Sequence, residues 1–226
     1  MKLKKNFFLI SIIAFFNFSY SQNFEQKKIG VIFNIDGPCK ITRQSMGNPI
    51  VDSKVLEKRD LFYGAYKFLE TGTGNPTERI INAYLKNLDF LNLKITQIKE
   101  PINSESDRNY YPDKHEYLDE DLKNIKMKYN LDYLLIVNGH FGLEFEQSVI
   151  ITGDKRTYIF LNNAFIDLNT NEVVSSFNAG NIANIRKKNI LSPPNFPNIE
   201  ESMNTLLNDK LLPEIERKIK RKIIIP

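Results

Sequence analysis

The chain has little of the chemistry that marks an enzyme or a metalloprotein. Its 226 residues include one cysteine, Cys39, and two histidines, His115 and His140. One cysteine cannot form an internal disulfide, so the packed core must hold the fold. Two interpretations of Cys39 stay open, a reactive or intermolecular thiol and a small buried residue near a strand end, and the second is the commoner role.

Motifs for nucleophilic or phosphate chemistry are also missing. No Gly-x-Ser-x-Gly sequence occurs, which is the turn that exposes a serine nucleophile in many hydrolases. The Gly72-Thr73-Gly74 stretch precedes a predicted helix, as an anion-binding site does. It lacks the lysine and third glycine of a phosphate loop, which favours an ordinary turn. We therefore expect no cofactor and no bound metal.

The first residues carry an export pattern. Three lysines stand at the start, and residues 7–18 form an almost unbroken apolar run. A transmembrane helix needs about 20 apolar residues, which is more than this run provides. A signal peptide needs only about 7–15. The pattern predicts export of the chain, and a signal anchor that is never cut is the alternative.

Small residues after the apolar run predict where the signal is removed. Ser19 and Ser21 occupy the two positions that the signal peptidase requires to be small. We predict a signal peptide at 1–21 and a single globular domain at 22–226. Cys39 lies too far beyond the signal to be a lipid-attachment cysteine, so we expect a product that is not a lipoprotein and is either periplasmic or secreted.

Charge gives little support to a nucleic-acid partner. The whole chain has a formal charge of +4, which falls to +1 when the three lysines of the signal peptide are removed. Nucleic-acid binding needs a clustered basic face, and only residues 217–222 resemble one. We expect no nucleic-acid partner.

Apolar periodicity predicts an alternation of strands and helices. In chain order the predicted elements are a strand at 28–35, a helix from 75 onward, a strand at 91–98, a helix at 118–129, a buried strand at 131–137, strands at 141–151, 158–168 and 173–177, and a helix from 198 onward. Residues 61–69 fit either a strand with a glycine or a short helix, and residues 100–117 read as an exposed loop.

Turn and cap signals place the ends of these elements. Turns are predicted at 36–38, 153–154 and 169–171. Asn75 is predicted to cap the first helix, with Pro76 at its first position, and Asn198 the last. Pro213 is predicted to interrupt the last helix. The order of elements predicts an α+β fold, close to an α/β sandwich, in which helices pack on one or both faces of a mixed sheet with an antiparallel meander.

Two stretches resemble bacterial envelope proteins. Residues 123–135 (KNIKMKYNLDYLL) resemble the helix that leads into the central strand of the TolB amino-terminal domain and of CsgG-like and LpoB-like periplasmic domains. Residues 165–174 (FIDLNTNEVV) resemble a later strand of the same domains. The resemblance implies a central strand, a meander and a closing helix, and a protein that works through contacts with other proteins or glycans.

Four polar residues are candidates for a ligand or partner surface. Asp113, His115 and Glu116 stand close together in the sequence, and clustered carboxylates with a histidine suit a divalent cation. Acidic residues also stabilise a solvated helix start, which is the simpler interpretation. His140 follows a buried strand, where it either contacts a ligand or serves as a structural histidine.

These features predict an exported, non-catalytic accessory or binding protein of the bacterial cell envelope. The expected partner is an envelope protein or a peptidoglycan-associated one. The basic helix at the carboxyl end either packs with a charged outer face or contacts an anionic membrane surface. The alternative function is a small exported hydrolase that uses His115 or His140 with nearby carboxylates.

Overall fold

The computed structural model describes residues 27–44, 50–52, 63–91, 93–99, 108–110, 116–118, 122–147, 152–185 and 195–223. The predicted signal peptide at 1–21 lies outside these residues and stays a prediction, as does the domain boundary at residue 22. No helix in the described part of the chain is long and apolar enough to cross a bilayer.

The described strands form one mixed sheet. They are β1 (Lys28–Gln44), β2 (Ile50–Asp52), β3 (Lys94–Ile98), β4 (Arg108–Tyr110), β5 (Glu116–Leu118), β6 (Tyr133–Gln147), β7 (Thr152–Asp167) and β8 (Glu172–Asn184). Their order is β2-β1-β6-β7-β8-β5-β4, and β3 also pairs with β1. Strand β1 runs parallel to β3 and β6, and the other pairs are antiparallel. This confirms the predicted α+β class and the β6-β7-β8 meander.

The helices precede, separate and follow these strands. They are α1 (Tyr63–Thr71), α2 (Thr77–Phe90), α3 (Lys123–Tyr129), α4 (Pro197–Thr205) and α5 (Leu212–Lys222), with a π-helical segment (Leu206–Leu211) between the last two. The ambiguous stretch at 61–69 is therefore largely helical. The predicted helix at 118–129 is shorter than expected, because Leu118 ends β5.

Two predicted turns are wrong. The peptide between Gly37 and Pro38 is cis, yet β1 continues through it as a strand, with a register shift against β6 between Asp36 and Cys39. Pairing with β6 resumes at Cys39 after this shift, so Gly37 and Pro38 form an irregularity within β1 and not a turn. Gly153 lies inside β7 at a similar irregularity, between the pairs Gln147–Thr152 and Phe145–Lys155. The turn at 169–171 is confirmed, with Asn171 in the left-handed region at φ 63°.

The predicted loop at 100–117 is partly wrong as well. Its residues 108–110 and 116–117 belong to β4 and β5, which pair antiparallel, and Tyr117 of β5 pairs with Glu172 of β8. The polar sequence gives no strand signal here. Backbone pairing at the end of the sheet creates the strands instead, because hydrogen bonds between main chains do not depend on apolar side chains.

Helix starts differ from prediction by one or two residues. Pro76 occupies the cap position of α2, and Asn75 Oδ1 accepts the backbone N–H of Thr77 at 2.9 Å. In α4 the cap is Phe196, with Pro197 at the first helical position, so the prediction that Asn198 caps this helix is wrong. Proline is favoured at the first position of a helix, which explains why α4 begins at Pro197.

Pro213 interrupts the last helix as predicted, and the π-helical segment shows how. The backbone N–H of Leu212 reaches the Leu207 carbonyl, five residues back. Proline has no N–H, and its ring would collide with the carbonyl four residues back in a regular helix. The wider turn just before Pro213 lets the helix continue into α5.

Side chains bury on both sides of the sheet, but unequally. On one side, which we call the helix face, one apolar cluster joins the sheet to α1, α2, α4, the π-helical segment and α5. It includes Ile215, Ile219 and Ile223, so the apolar side of the basic helix is in the core. On the other side, a smaller cluster lies around α3. We call this side the rung face, because rows of side chains aligned across neighbouring strands, which we call rungs, lie on it.

Candidate functional site: polar rungs on one face of the sheet

The rung face changes from apolar to polar along β6. Successive side chains of a strand point to opposite faces. Leu134 and Ile136 belong to the cluster near α3, so Asn138 and His140 continue on the same face. The apolar side chains that β6 gives to this face therefore end at Ile136, and the polar side chains of Asn138 and His140 follow.

An asparagine rung crosses the sheet at this transition. Register places four asparagines directly opposite one another on four neighbouring strands, and they are Asn34, Asn138, Asn162 and Asn178. Asn34 Nδ2 donates to Asn138 Oδ1 at 2.8 Å. Asn138 is buried, whereas Asn162 and Asn178 are exposed. The rung therefore presents neutral amide donors and acceptors to solvent at its β7 and β8 end.

A histidine rung lies next to it. Asp36, His140, Phe160 and Gly180 are opposite one another on the same four strands. The rings of His140 and Phe160 are both half-buried, with centroids 5.8 Å apart. A Cβ on Gly180 would lie 2.6 Å from Phe160 Cδ1, so the phenylalanine ring covers the glycine. Amide and aromatic side chains therefore lie side by side on this part of the sheet.

The ring of Tyr158 packs against the rings of His140 and Phe160. Its ring lies 5.8 Å from the imidazole centroid in an edge-on arrangement and 5.7 Å from the Phe160 centroid in a stacked one. Its hydroxyl donates to the Cys39 carbonyl oxygen at 3.2 Å. Tyr158 is opposite Gly142 in the strand register, and a Cβ on Gly142 would collide with that same carbonyl oxygen. The carbonyl group that Tyr158 reaches directly follows the register shift in β1.

The two nucleophilic groups near the histidine rung are held protonated. Burial raises the pKa of the Cys39 thiol, and the nearby Asp36 carboxylate raises it further. Burial also raises the pKa of Tyr158 far above its ordinary value. A reactive cysteine needs a lowered pKa, because the thiolate is the nucleophile. The interpretation of Cys39 as a reactive thiol is therefore disfavoured.

The hydrolase alternative needs a histidine next to a carboxylate, and the structure provides such a pair. Register places Asp36 beside His140, so a carboxylate and an imidazole are neighbours. A catalytic pair needs an activated nucleophile within reach, and the adjacent Cys39 is held in its unreactive state. The hydrolase alternative stays a prediction. His140 also lies inside β6, not at the end of a strand as predicted.

The other candidate residues are Asp113, His115 and Glu116. Asp113 and His115 lie outside the described residues, and only the backbone of Glu116 is described. Glu116 begins β5, which β7 and β8 separate from β6. Among the side chains that the structure describes, no three histidine, cysteine or acidic residues are grouped to hold a metal ion. The expectation that no metal binds at 113–116 stays a prediction, with a cation site there as its alternative.

Sequence reasoning found His140 but not its neighbours. The asparagine and histidine rungs depend on which residues of distant strands align, and Asn34 and Asn138 are 104 positions apart. The available signal was the alternation within each strand, which assigns His140 and Asn138 to one face. It could not assign Phe160 or Asp36 to the same rung.

No family model matches the chain, and no curated protein does. Several solved structures have a similar fold. A putative neuraminyllactose-binding hemagglutinin homolog from Helicobacter pylori is 15% identical, with 86% of each chain covered and a TM-score of 0.42. A DUF330 protein from Xanthomonas campestris is 12% identical over 86% of this chain and 84% of that chain, with a TM-score of 0.38.

A third similar structure is lipoprotein GNA1162 from Neisseria meningitidis. It is 10% identical over 81% of this chain and 96% of that chain, with a TM-score of 0.30. Similarity at this level says nothing about ligand or activity. None of the three is TolB, CsgG or LpoB, so that finer resemblance stays a prediction. The expectation that the chain is not a lipoprotein also stays a prediction.

Proposed function

We propose that the chain is an exported, non-catalytic binding protein of the bacterial cell envelope, and that the asparagine and histidine rungs contact its partner. The asparagine rung carries the proposal. Exposed amides on a sheet are fixed in position by the strands beneath them, so they can pair with a partner's polar groups at little entropic cost.

The neighbouring aromatic rings supply the apolar part of such a contact. His140 and Phe160 are half-buried, so each ring has one side packed against the sheet and another accessible. Interfaces favour aromatic side chains of this kind because they bury much area while losing few rotamers. The protonated states of Cys39 and Tyr158 add no charge to the surface.

Capture of a partner tests the proposal. The tagged chain, expressed in its native envelope and cross-linked before purification, should retain a specific partner. The double variant Asn162→Ala, Asn178→Ala should retain at least roughly tenfold less, because it removes the two exposed amides of the rung. Asn195→Ala is the matched control, since Asn195 is an exposed asparagine in the turn before α4, outside both rungs, and should leave capture unchanged.

Two outcomes would contradict the proposal. Equal capture by the double variant and the wild type would remove the rungs as the contact surface. Absence of any partner from cross-linked envelopes, with the chain folded and exported, would remove the binding function itself.

A further inference from the structure

The helix face carries a groove that the proposed function does not use. It lies between α2 and α5 and has a volume of about 600 Å³. Three cationic side chains line it, those of Arg79, Lys86 and Lys220, together with the carboxylate of Glu216. Lys220 pairs with Glu216 at 2.6 Å. We call this the basic groove, because two positive charges remain after that pair is counted.

An exposed aromatic ring stands in the same groove. Phe90, the last residue of α2, is 73% exposed. The Nζ atom of Lys220 lies 4.7 Å from its ring centroid, so one cation is already positioned over the ring. Aromatic side chains are enriched in protein interfaces, so this ring suits a contact with a partner.

Arg79 joins the basic groove to the surface beside it. Its guanidinium donates to Asn204 at 2.6 Å and to Asn208 at 2.7 Å, which fixes α2 against α4 and the π-helical segment. Asn208 also borders a second, shallow surface on the outer side of α4. The two surfaces therefore adjoin along one side of the last helices.

The second surface has the opposite charge. Its ionisable side chains are Glu200, Glu201 and Asp209, and we call it the acidic surface. The acidic surface occupies the amino-terminal half of the last helices, and the basic groove borders their carboxyl-terminal half. Along this side of the molecule, the surface charge therefore changes from negative beside α4 to positive beside α5.

We propose that the basic groove docks the acidic surface of a second copy of this chain, in a two-fold dimer. In a two-fold interface the same patch faces itself in the reverse direction. When two copies of this patch pair antiparallel, the acidic surface of each copy faces the basic groove of the other. The exposed ring of Phe90 becomes buried between them. The proposal is independent of the rungs, which lie on the opposite face of the sheet.

Sedimentation velocity of the purified chain, as its expression host processes it, tests the pairing. At low salt the wild type should show a concentration-dependent dimer that weakens as salt screens the charges. Lys86→Glu and Glu201→Lys should each weaken association at least about tenfold, because a reversed charge acts twice across a two-fold axis. Lys94→Glu, the same charge change on β3, should have no comparable effect.

Mixing the two single variants gives the sharpest result. Each variant alone places like charges together at both ends of the interface. In an equimolar mixture, the glutamate introduced at position 86 of one copy faces the lysine introduced at position 201 of the other. The native Lys86 and Glu201 face each other at the second end, so a mixed dimer should form. The double variant should also dimerise, and circular dichroism verifies that all variants are folded.

Three results would overturn the proposal. They are a monomer at every concentration, an equal loss caused by Lys94→Glu, and growth beyond two copies. If the chain stays monomeric but binds an acidic peptide or an anionic vesicle through Lys86, the groove has a different occupant and the dimer is wrong.

Discussion

The two faces of the sheet differ in what their polar groups do. On the helix face the buried polar groups bond to one another inside a large apolar cluster. Tyr84 donates to Asn163 Oδ1 at 2.6 Å, and Ser202 donates to the Ala183 carbonyl oxygen at 3.1 Å. On the rung face the apolar cluster is small, and amide and aromatic side chains reach solvent. Stability is thus concentrated on one face, which leaves the other available for contact with a partner.

The largest expected effect comes from comparing two phenylalanines of β7 that lie on opposite faces of the sheet. Phe165 of β7 is fully buried on the helix face and stacks on Tyr133 with centroids 5.1 Å apart. Phe165→Ala should lower the free energy of unfolding by ~3–5 kcal/mol, because it leaves a cavity in the core. Phe160→Ala on the rung face should cost only ~1 kcal/mol. Urea unfolding measures both, and similar losses would break the comparison.

A smaller effect is expected where the rung face is tightly packed. Gly142→Ala should destabilise the fold by ~2–3 kcal/mol, since its Cβ would collide with the Cys39 carbonyl of the neighbouring strand. Gly64→Ala in α1 is the control. There the Cβ meets the end of the Phe196 ring at 2.9 Å, and alanine's higher helix propensity offsets the crowding. Thermal melting should therefore separate the two variants.

The smallest expected effect tests the polar core of the helix face. Tyr84→Phe should cost ~1–2 kcal/mol, because Asn163 loses a buried partner. Burial raises the pKa of Tyr84 above its ordinary value of 10.0. The unfolded chain releases this proton near pH 10 while the folded chain retains it, so stability should fall above about pH 10. Denaturant titrations at pH 8 to 11 should show a shallower fall for Tyr84→Phe, and an unchanged slope would contradict the assignment.

The elements with a strong apolar period were predictable from the sequence. The stripe of α2 is one example, since Ile80, Tyr84 and Leu88 are all fully buried as a helix period requires. The elements β4 and β5 were not, because neighbouring main chains define them and their own side chains give no signal. The turns at 36–38 and 153–154 failed for the related reason that long strand pairing overrides a local preference for turns.

The candidate site was also only partly predictable from the sequence. His140 could be selected from the sequence, since only two histidines exist. Its neighbours Asp36, Phe160 and Tyr158 could not, because they lie on other strands, Asp36 on β1 and the two aromatic residues on β7. The basic groove was also beyond prediction. The sequence showed the basic run at 217–222, but Lys86 and Arg79 join Lys220 only when α2 packs against α5.

By itself the sequence determined the alternation of strands and helices and the side of each element that is buried, because both follow from local periodicity. The predicted export signal is local in the same sense. Only the tertiary structure decided which residues share a rung and which charges share a groove. That choice depends on strand register and helix packing between segments as much as 129 residues apart, and no local pattern encodes it.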